Sequence, residues 1–367
     1  MLEFSQAMTS THLTGLSQAE VSEFVAGLGE PDYRARQIFA DVHARRLRSF
    51  DEMTDLPKDL RSRLNQEATI ATLTLESRYI STDGTRRYLF KTRDNLPVET
   101  VFIPEERRDT ICFSSQSGCP LQCTFCLTAQ LGLLRNLTAG EIVEQIIFAL
   151  NDAYGAGVRP PRGTNLVGMG AGEPFLNFED LMKAVRVMKE PRGLHIVPNR
   201  ITVSTAGVVP RIRELAMIPD RPHLAVSLAA PNDKLRTALM PINKKWNLKT
   251  LIDAAHSFPL RTRERLTFEY VLLDRVNDSL QNACEVVELI RGIRTKVNLI
   301  ALNPGPGVAF ETPSQQRVLE FQQILVRAGI STFIRRPRGR DIYAACGQLK
   351  RTSELILAIE TAPKDGP

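Results

Sequence analysis

Cys119-Pro-Leu-Gln-Cys123-Thr-Phe-Cys126 places three thiols on one short peptide. Soft thiolate donors favour iron–sulfur clusters or zinc. Zinc would normally take a fourth protein ligand, and none of His12, His43, His195, His223 and His256 is near the triplet in sequence, although sequence distance does not prevent approach in space. Three cysteines would leave one iron of a 4Fe-4S cubane without a protein ligand. That iron would be open to chelation by a small molecule. Simple burial is the plain alternative, since Cys is among the most buried residue types.

Further polar residues sit where strands should end. Met169-Gly170-Ala171-Gly172-Glu173-Pro174 has glycines that let backbone approach a ligand, and Glu173 could receive an ammonium group. Ser204 ends a strand-like run in TVSTAG, Ser227 lies in AVSLAAPND, and Asn303 closes VNLIALN. At strand ends such side chains could hold ribose hydroxyls or a carboxylate; local turn capping is the competing reading.

The elements that must position these residues follow from periodicity. From residue 109 the strand-like runs TICFSS, NLVGMG, RITVST, HLAVSLAA, RLTFEYVLL, KVNLIALN and STFIRR alternate with helical patterns, such as LTAGEIVEQIIFALNDAYG and SQQRVLEFQQILVRAG. This order predicts repeated βα units and a parallel sheet closing into a full or partial barrel, with ligand loops at the strand C-terminal ends. The triplet follows the first strand of the series. Residues 17–66 read as a small basic helical module, and TLTLESRYI and TRRYLFKT flanking STDG read as a hairpin that LPVETVFIP extends.

Composition bounds the class. The chain has 367 residues, of which 43% are hydrophobic and 24% charged, as in soluble globular proteins. A secretory leader and a bilayer-spanning run are both missing from the pattern, so a cytoplasmic protein without a membrane partner is expected. Six cysteines in that compartment argue against a disulfide framework. The net charge of +6 favours a polyanionic partner. Arginines cluster at 45, 46 and 48, at 261, 263 and 265, and at 335, 336, 338 and 340. Any one cluster can also be solvated surface; the helical module is the first candidate for contact with such a polyanion.

The C-x3-C-x2-C spacing with an aromatic residue before the last Cys resembles the radical S-adenosylmethionine superfamily. ETVFIPEERRDTICFSSQSGCPLQCTFCLTAQLGLLRNLT, MGAGEP, STAGVVPRI, SLAAPNDKLR, MPINKKW, FEYVLLDRVND and RGRDIYAACGQL, with YRARQIF and SFDEMTDLP, together resemble one family within it. These are the RNA adenine-C2 methyltransferases acting on large-subunit (23S) ribosomal RNA and transfer RNA. The resemblance covers nearly the whole chain. It implies an α/β fold: a partial (βα)6-type barrel at 109–345, an N-terminal helical RNA-binding module at 1–68, a β-hairpin extension at 69–108, and a catalytic-cysteine segment and helix at 346–367.

The resemblance also implies roles. Cys119, Cys123 and Cys126 would bind the 4Fe-4S cluster, and Gly172, Glu173, Ser204, Ser227, Leu228, Ala229 and Asn303 would bind S-adenosylmethionine. Two molecules are used per turnover, one as methyl donor and one as radical source. Cys346 would be methylated first, and a 5′-deoxyadenosyl radical would activate that methyl group for addition to adenine C2. Glu99 would accept the C2 proton. Cys112 would then attack the sulfur of Cys346, leaving a disulfide for an external reductant to reopen; a donor such as flavodoxin would supply electrons. A monomer is expected. Taken alone, Glu99 reads as an exposed strand carboxylate and Cys112 and Cys346 as structural cysteines; Cys284, on the apolar face of a helix, keeps that reading.

Two positions depart from the family pattern: Ala171 stands where Met is usual, and Ala229 where His is usual. At Ala229 a backbone contact can survive but a side-chain role cannot. Two alternatives share much of this evidence. One is the sister activity that methylates adenine C8 and confers antibiotic resistance; the other is a non-catalytic RNA-binding homologue.

Overall fold

The computed structural model describes residues 10–305, 307–345, 347 and 348. The chain begins with β1 (Thr11–His12), α1 (Gln18–Gly27), α2 (Asp32–His43), α3 (Lys58–Glu67) and β2 (Ala68–Thr69). Ser17 and Glu20 form a capping box that starts α1, satisfying amide donors that a helix leaves orphaned. β1 pairs parallel with β2, so the two ends of the module are tied together around their own core of Leu13, Val25, Ile38, Phe39, Met53 and Leu64.

Next come β3 (Thr74–Ile80), β4 (Arg86–Lys91), β5 (Pro97–Ile103) and β6 (Arg108–Cys112), then the short pair β7 (Gln116–Gly118) and β8 (Leu133–Asn136). The barrel series continues through α4 (Ala139–Tyr154), β9 (Gly163–Gly168), α5 (Phe178–Lys189), β10 (Ile201–Thr205), α6 (Val209–Ala216) and β11 (His223–Ser227). It ends with α7 (Asp233–Leu239), α8 (Leu248–His256), β12 (Leu266–Leu272), α9 (Leu280–Leu289), β13 (Thr295–Ala301), α10 (Gln315–Arg327) and β14 (Ser331–Ile334).

One ten-stranded sheet runs β14-β13-β12-β11-β10-β9-β6-β5-β4-β3. Its strands from β6 to β14 are parallel, and β5, β4 and β3 add antiparallel at the β6 edge. This is the expected α/β partial barrel with its hairpin extension. The helices cover one face. Ile111, Val203, Val226, Phe268, Tyr270, Val297 and Leu299 enter the core shared with those helices. Side chains alternate along a strand, so Cys112, Ser204, Ser227, Glu269 and Asn298 face the inner, concave side. By register, Val101 opposes Cys112, Arg87 opposes Val101 and Leu89 opposes Glu99, which puts Arg87 and Glu99 on that same side.

Helix α4 fastens the parts together. Thr138 and Glu141 form its capping box. Buried Glu144 accepts from Arg48 Nη2 of the module at 2.7 Å and from the amides of Thr72 and Leu73 at 2.8 and 3.0 Å. Gln145, also buried, accepts from Ser114 N at 2.8 Å and donates to Ser114 O at 3.0 Å, fixing the chain between Cys112 and Cys119. No helix among the described residues is long and apolar enough to cross a membrane.

Candidate active site

The cysteine loop leaves β7 through Gly118, whose φ is +78° and where a Cβ would lie 1.9 Å from Gly132 O. Only glycine allows β7 and β8 to approach this closely. Cys119 N then donates to Gly132 O at 2.8 Å, Thr124 N to Leu239 O at 3.0 Å, and Cys126 N to Cys123 O at 3.1 Å. Cys119 is buried, and Cys123 and Cys126 are half-buried. Burial pushes the Cys119 thiol up to about 12, and burial reinforced by Cys126 and Cys119 pushes Cys123 up further. The three sulfurs therefore sense one another, and binding a metal there must displace protons.

This donor set fits an iron–sulfur cluster. Among the described residues no three His, Cys, Asp or Glu side chains converge on a point that would hold a single ion. A cubane seats each thiolate on a different iron and does not require that convergence.

The loop after β9 closes on residues 113–116, the stretch from β6 into β7 that leads to the cysteine loop. Gly170 N donates to Phe113 O at 3.0 Å, while Ala171 O accepts from Ser115 N and Gln116 N at 3.0 and 3.2 Å. At Gly172, φ is +105° and a Cβ would stand 2.6 Å from Gln116 Cβ. Glu173 follows, fully buried, accepting from Phe175 N at 3.0 Å and Ala206 N at 2.7 Å. Burial pushes its carboxyl up to about 7 despite these donors. The Ala171 methyl is nearly buried, so the departure from Met leaves the backbone bonds of this turn intact.

Ser204 and Ser227 are half-buried at the ends of β10 and β11, and Asn303 is buried just after β13. Leu228 is buried, and its carbonyl accepts from Arg236 Nε at 3.0 Å. Ala229 is buried with φ +58°, and its carbonyl accepts from Asn277 Nδ2 at 2.7 Å. Arg236 and Asn277, which lie within SLAAPNDKLR and FEYVLLDRVND but were not among the expected site residues, thus shape this end of the barrel. Buried Arg236 also donates to Ala206 O at 2.6 Å, Ser227 O at 3.0 Å and Asn243 Oδ1 at 2.9 Å, joining the β10 and β11 loops. Asn277 spans Val271 O and Ala229 O, at 2.7 Å each. Neither carries a periodic or spacing signal; each is recognisable only once the loops it joins are adjacent.

Glu99 is buried rather than exposed, and Arg87 grips it with Nε and Nη2 at 3.0 Å each. Burial raises the carboxyl above its usual range and Arg87 pulls it back, with burial the larger influence. Cys112, half-buried, packs with Val101, Ile103, Ile342 and Ala344. Cys346 lies outside the described residues. Its neighbours are described: Ala344 belongs to the Cys112 cluster, while Gly347 O accepts from Leu127 N at 2.9 Å, beside Cys126. Gln348 Nε2 donates to Pro304 O at 2.6 Å. The helical reading of Cys284 agrees with its place on α9, but it is exposed there.

Comparison with known proteins gives the same picture. Residues 11–70 match the family described as "Ribosomal RNA large subunit methyltransferase N-terminal domain", and residues 113–287 match the radical SAM superfamily. The chain is 54% identical over 347 residues to the "Probable dual-specificity RNA methyltransferase RlmN" of Koribacter versatilis, covering 90% of this chain and 99% of that one. It is 46% identical over 331 residues to the dual-specificity RNA methyltransferase RlmN of Syntrophobacter fumaroxidans, covering 90% and 95%. The crystal structure of a radical SAM methyltransferase from Sphaerobacter thermophilus superposes with a TM-score of 0.89 at 46% identity, covering 93% of this chain and 99% of that one. The chain belongs to the RlmN family of radical SAM RNA methyltransferases.

Proposed function

We propose that this chain forms 2-methyladenosine in large-subunit ribosomal RNA and in transfer RNA, by way of a carbon carried on Cys346. The observation that carries this reading is the seating of the peptide around Cys346. Its N-terminal side, Ala344, packs with Cys112, and its C-terminal side, Gly347, is hydrogen-bonded beside Cys126, with Glu99 on the same sheet face. Adenine C2 is neither acidic nor nucleophilic, so ordinary methyl displacement does not reach it. A cluster held by Cys119, Cys123 and Cys126 supplies, with S-adenosylmethionine bound near Glu173, Ser204, Ser227 and Asn303, the carbon-radical chemistry that does.

The remaining work falls to the chain. The Cys346 thiolate accepts a methyl group and holds the carbon that becomes joined to C2. Glu99, whose burial makes its carboxylate a stronger base, accepts the C2 proton. Cys112 attacks the sulfur of Cys346 and breaks its bond to the transferred carbon; that carbon keeps the electron pair and takes up a proton to become the methyl group of the released RNA, and the two sulfurs form a disulfide that an external reductant reopens.

Mass spectrometry of digested ribosomal and transfer RNA from cells with and without the gene tests the reading. Loss of 2-methyladenosine is expected, and loss of 8-methyladenosine instead would transfer the chain to the C8 activity. In the purified, reconstituted protein, Cys346→Ala should give no methylated RNA, whereas Cys112→Ala should accumulate a covalent protein–RNA adduct. An iron-free protein after anaerobic preparation, with no 5′-deoxyadenosine formed, would overturn the enzymatic reading altogether.

A further inference from the structure

The basic residues of the N-terminal module are largely committed to structure. Arg45 pairs with Asp41 at 2.8 Å and Asp55 at 3.4 Å, and Arg48 with buried Glu144 at 2.7 Å. Arg46 is itself buried, bonded to Asn151 Oδ1 and to the carbonyls of Gly155 and Val158 at 2.7–2.9 Å. A guanidinium so engaged has little left to offer a phosphate.

The edge of the barrel at β14 differs. Ile334 packs outward against the helical core, so Phe333 and Arg335 point to the inner side, and Phe333 opposes Asn298 by register. Asn298 Nδ2 donates to buried Glu269 at 2.8 Å, and Arg335 lies within electrostatic range of the same carboxylate without forming an ion pair among the described residues. Phe333 is 54% exposed, a large aromatic face turned to solvent on the concave side.

The chain after β14 is a strap folded back over the hairpin. Arg338 Nη2 donates to Pro104 O at 2.8 Å, Gly339 N to Asp83 Oδ2 at 3.1 Å, Ser81 Oγ to Asp341 Oδ1 at 2.6 Å, and Arg87 Nη1 to Ile342 O at 3.1 Å. These contacts spend Arg338 and leave Arg335, Arg336 and Arg340 exposed, with no side-chain partner among the described residues. Arg335 and Arg336 follow directly on the exposed ring, and Arg340 stands at the hairpin end of the strap that leads to Cys346; together they offer cations and an aromatic face to a polyanion with flat bases.

We infer that RNA enters the barrel across the β14 edge, with Phe333 stacking an unpaired base and Arg335, Arg336 and Arg340 taking the flanking phosphates. Stacking on an aromatic side chain together with cations along the backbone is how proteins hold single-stranded or splayed nucleotides. The strap couples the two halves of the task. Phosphates bound at Arg335–Arg340 lie on the same short segment whose far end is seated between Cys112 and the cysteine loop. This inference rests on the RNA methyltransferase reading and names the surface through which it works.

The test measures binding of the reconstituted holoenzyme to a transfer RNA transcript as a function of salt, by fluorescence anisotropy. Each lost phosphate contact should lower the slope of log K against log [salt] by about 0.7–0.9, so Arg335→Gln/Arg336→Gln/Arg340→Gln should lower it by about 2. A control with the same charge change on the opposite strand ends and outer helices, Lys249→Gln/Arg263→Gln/Arg291→Gln, should leave the slope unchanged. Phe333→Ala should weaken binding about 5- to 100-fold at constant slope, and Phe333→Tyr should restore it. Equal slopes for the two triple variants, with melting temperatures unchanged, would overturn the assignment of the phosphates. An unaffected Phe333→Ala would overturn the stacking. Wild-type protein that neither binds nor methylates RNA would instead sink the reading beneath it.

Discussion

Arg87 and Glu99 occupy one inner sheet face, and the pair holds the only proton acceptor that the proposed chemistry assigns to the chain. A buried carboxylate without its counter-charge is forced toward its neutral form. Arg87→Met should therefore raise the Glu99 pKa beyond its already elevated position. In the proposed chemistry Glu99 must be a carboxylate to accept a proton, so activity should be lost as pH falls through that pKa, and the acidic limb of the single-turnover pH profile should move to higher pH. Breaking the pair should also cost about 3–5 kcal/mol of stability. Arg87→Lys keeps the charge and should recover most of the limb position but not the two-pronged geometry. A profile unchanged in Arg87→Met would show that Glu99 is not the group whose ionisation limits the reaction.

At the scale of elements, the site depends on how the loop after β9 nests against residues 113–116, which lead to the cysteine loop. Gly172→Ala would force a Cβ to within 2.6 Å of Gln116 and place an alanine at φ +105°. We expect a loss of about 3 kcal/mol in thermal unfolding, from overpacking plus backbone strain, and a matching loss of S-adenosylmethionine affinity in the reconstituted protein. Unchanged affinity would separate this turn from the cofactor site.

Much at this scale was legible beforehand. The strand runs from TICFSS to STFIRR and the long helices were periodic enough to give both the parallel sheet and its alternation, because apolar faces repeat at 2.0 or 3.6 residues. The short helices α6 and α7 and the β7–β8 pair were not read, since each has too few residues to establish a period. The cysteine triplet was legible from spacing. The burial of Glu99 was not: its partner Arg87 comes from the neighbouring strand and is itself held by Ile342 of the distant strap, and Arg236 and Asn277 likewise gain meaning only from loops brought together by the barrel.

At the scale of the whole molecule, the N-terminal module carries two histidines, His43 buried in its core and His12 half-buried at its junction with α4. His43 is fully buried in the module, stacked on Phe39 at 4.2 Å, with its ring nitrogens 3.1 Å from the carbonyls of Phe39 and Thr14. Burial pushes it down to about 4, and His12, beside Glu144 at the junction with α4, is also pushed down to about 4 by burial. The sign follows from which state binds the proton more tightly. With the folded pKa depressed, the unfolded chain takes up the proton first, so the stabilisation is complete above about 6.5 and is lost as pH falls toward 4. For His43 the loss amounts to about 3 kcal/mol across that window. The module has its own core and meets α4 through the close approach of Gly15 to Gly140 as well as through Arg46, Arg48 and Glu144; with its own core and its own acid-sensitive histidines, it should be the first part to yield to acid. Limited proteolysis between pH 7.5 and 5 should release fragments cut within residues 10–70 before the barrel is attacked. Urea unfolding monitored over the same range should show a His43→Gln variant that starts less stable but falls less steeply with acid; a slope equal to that of the wild type would mean that the acid sensitivity of the molecule resides elsewhere.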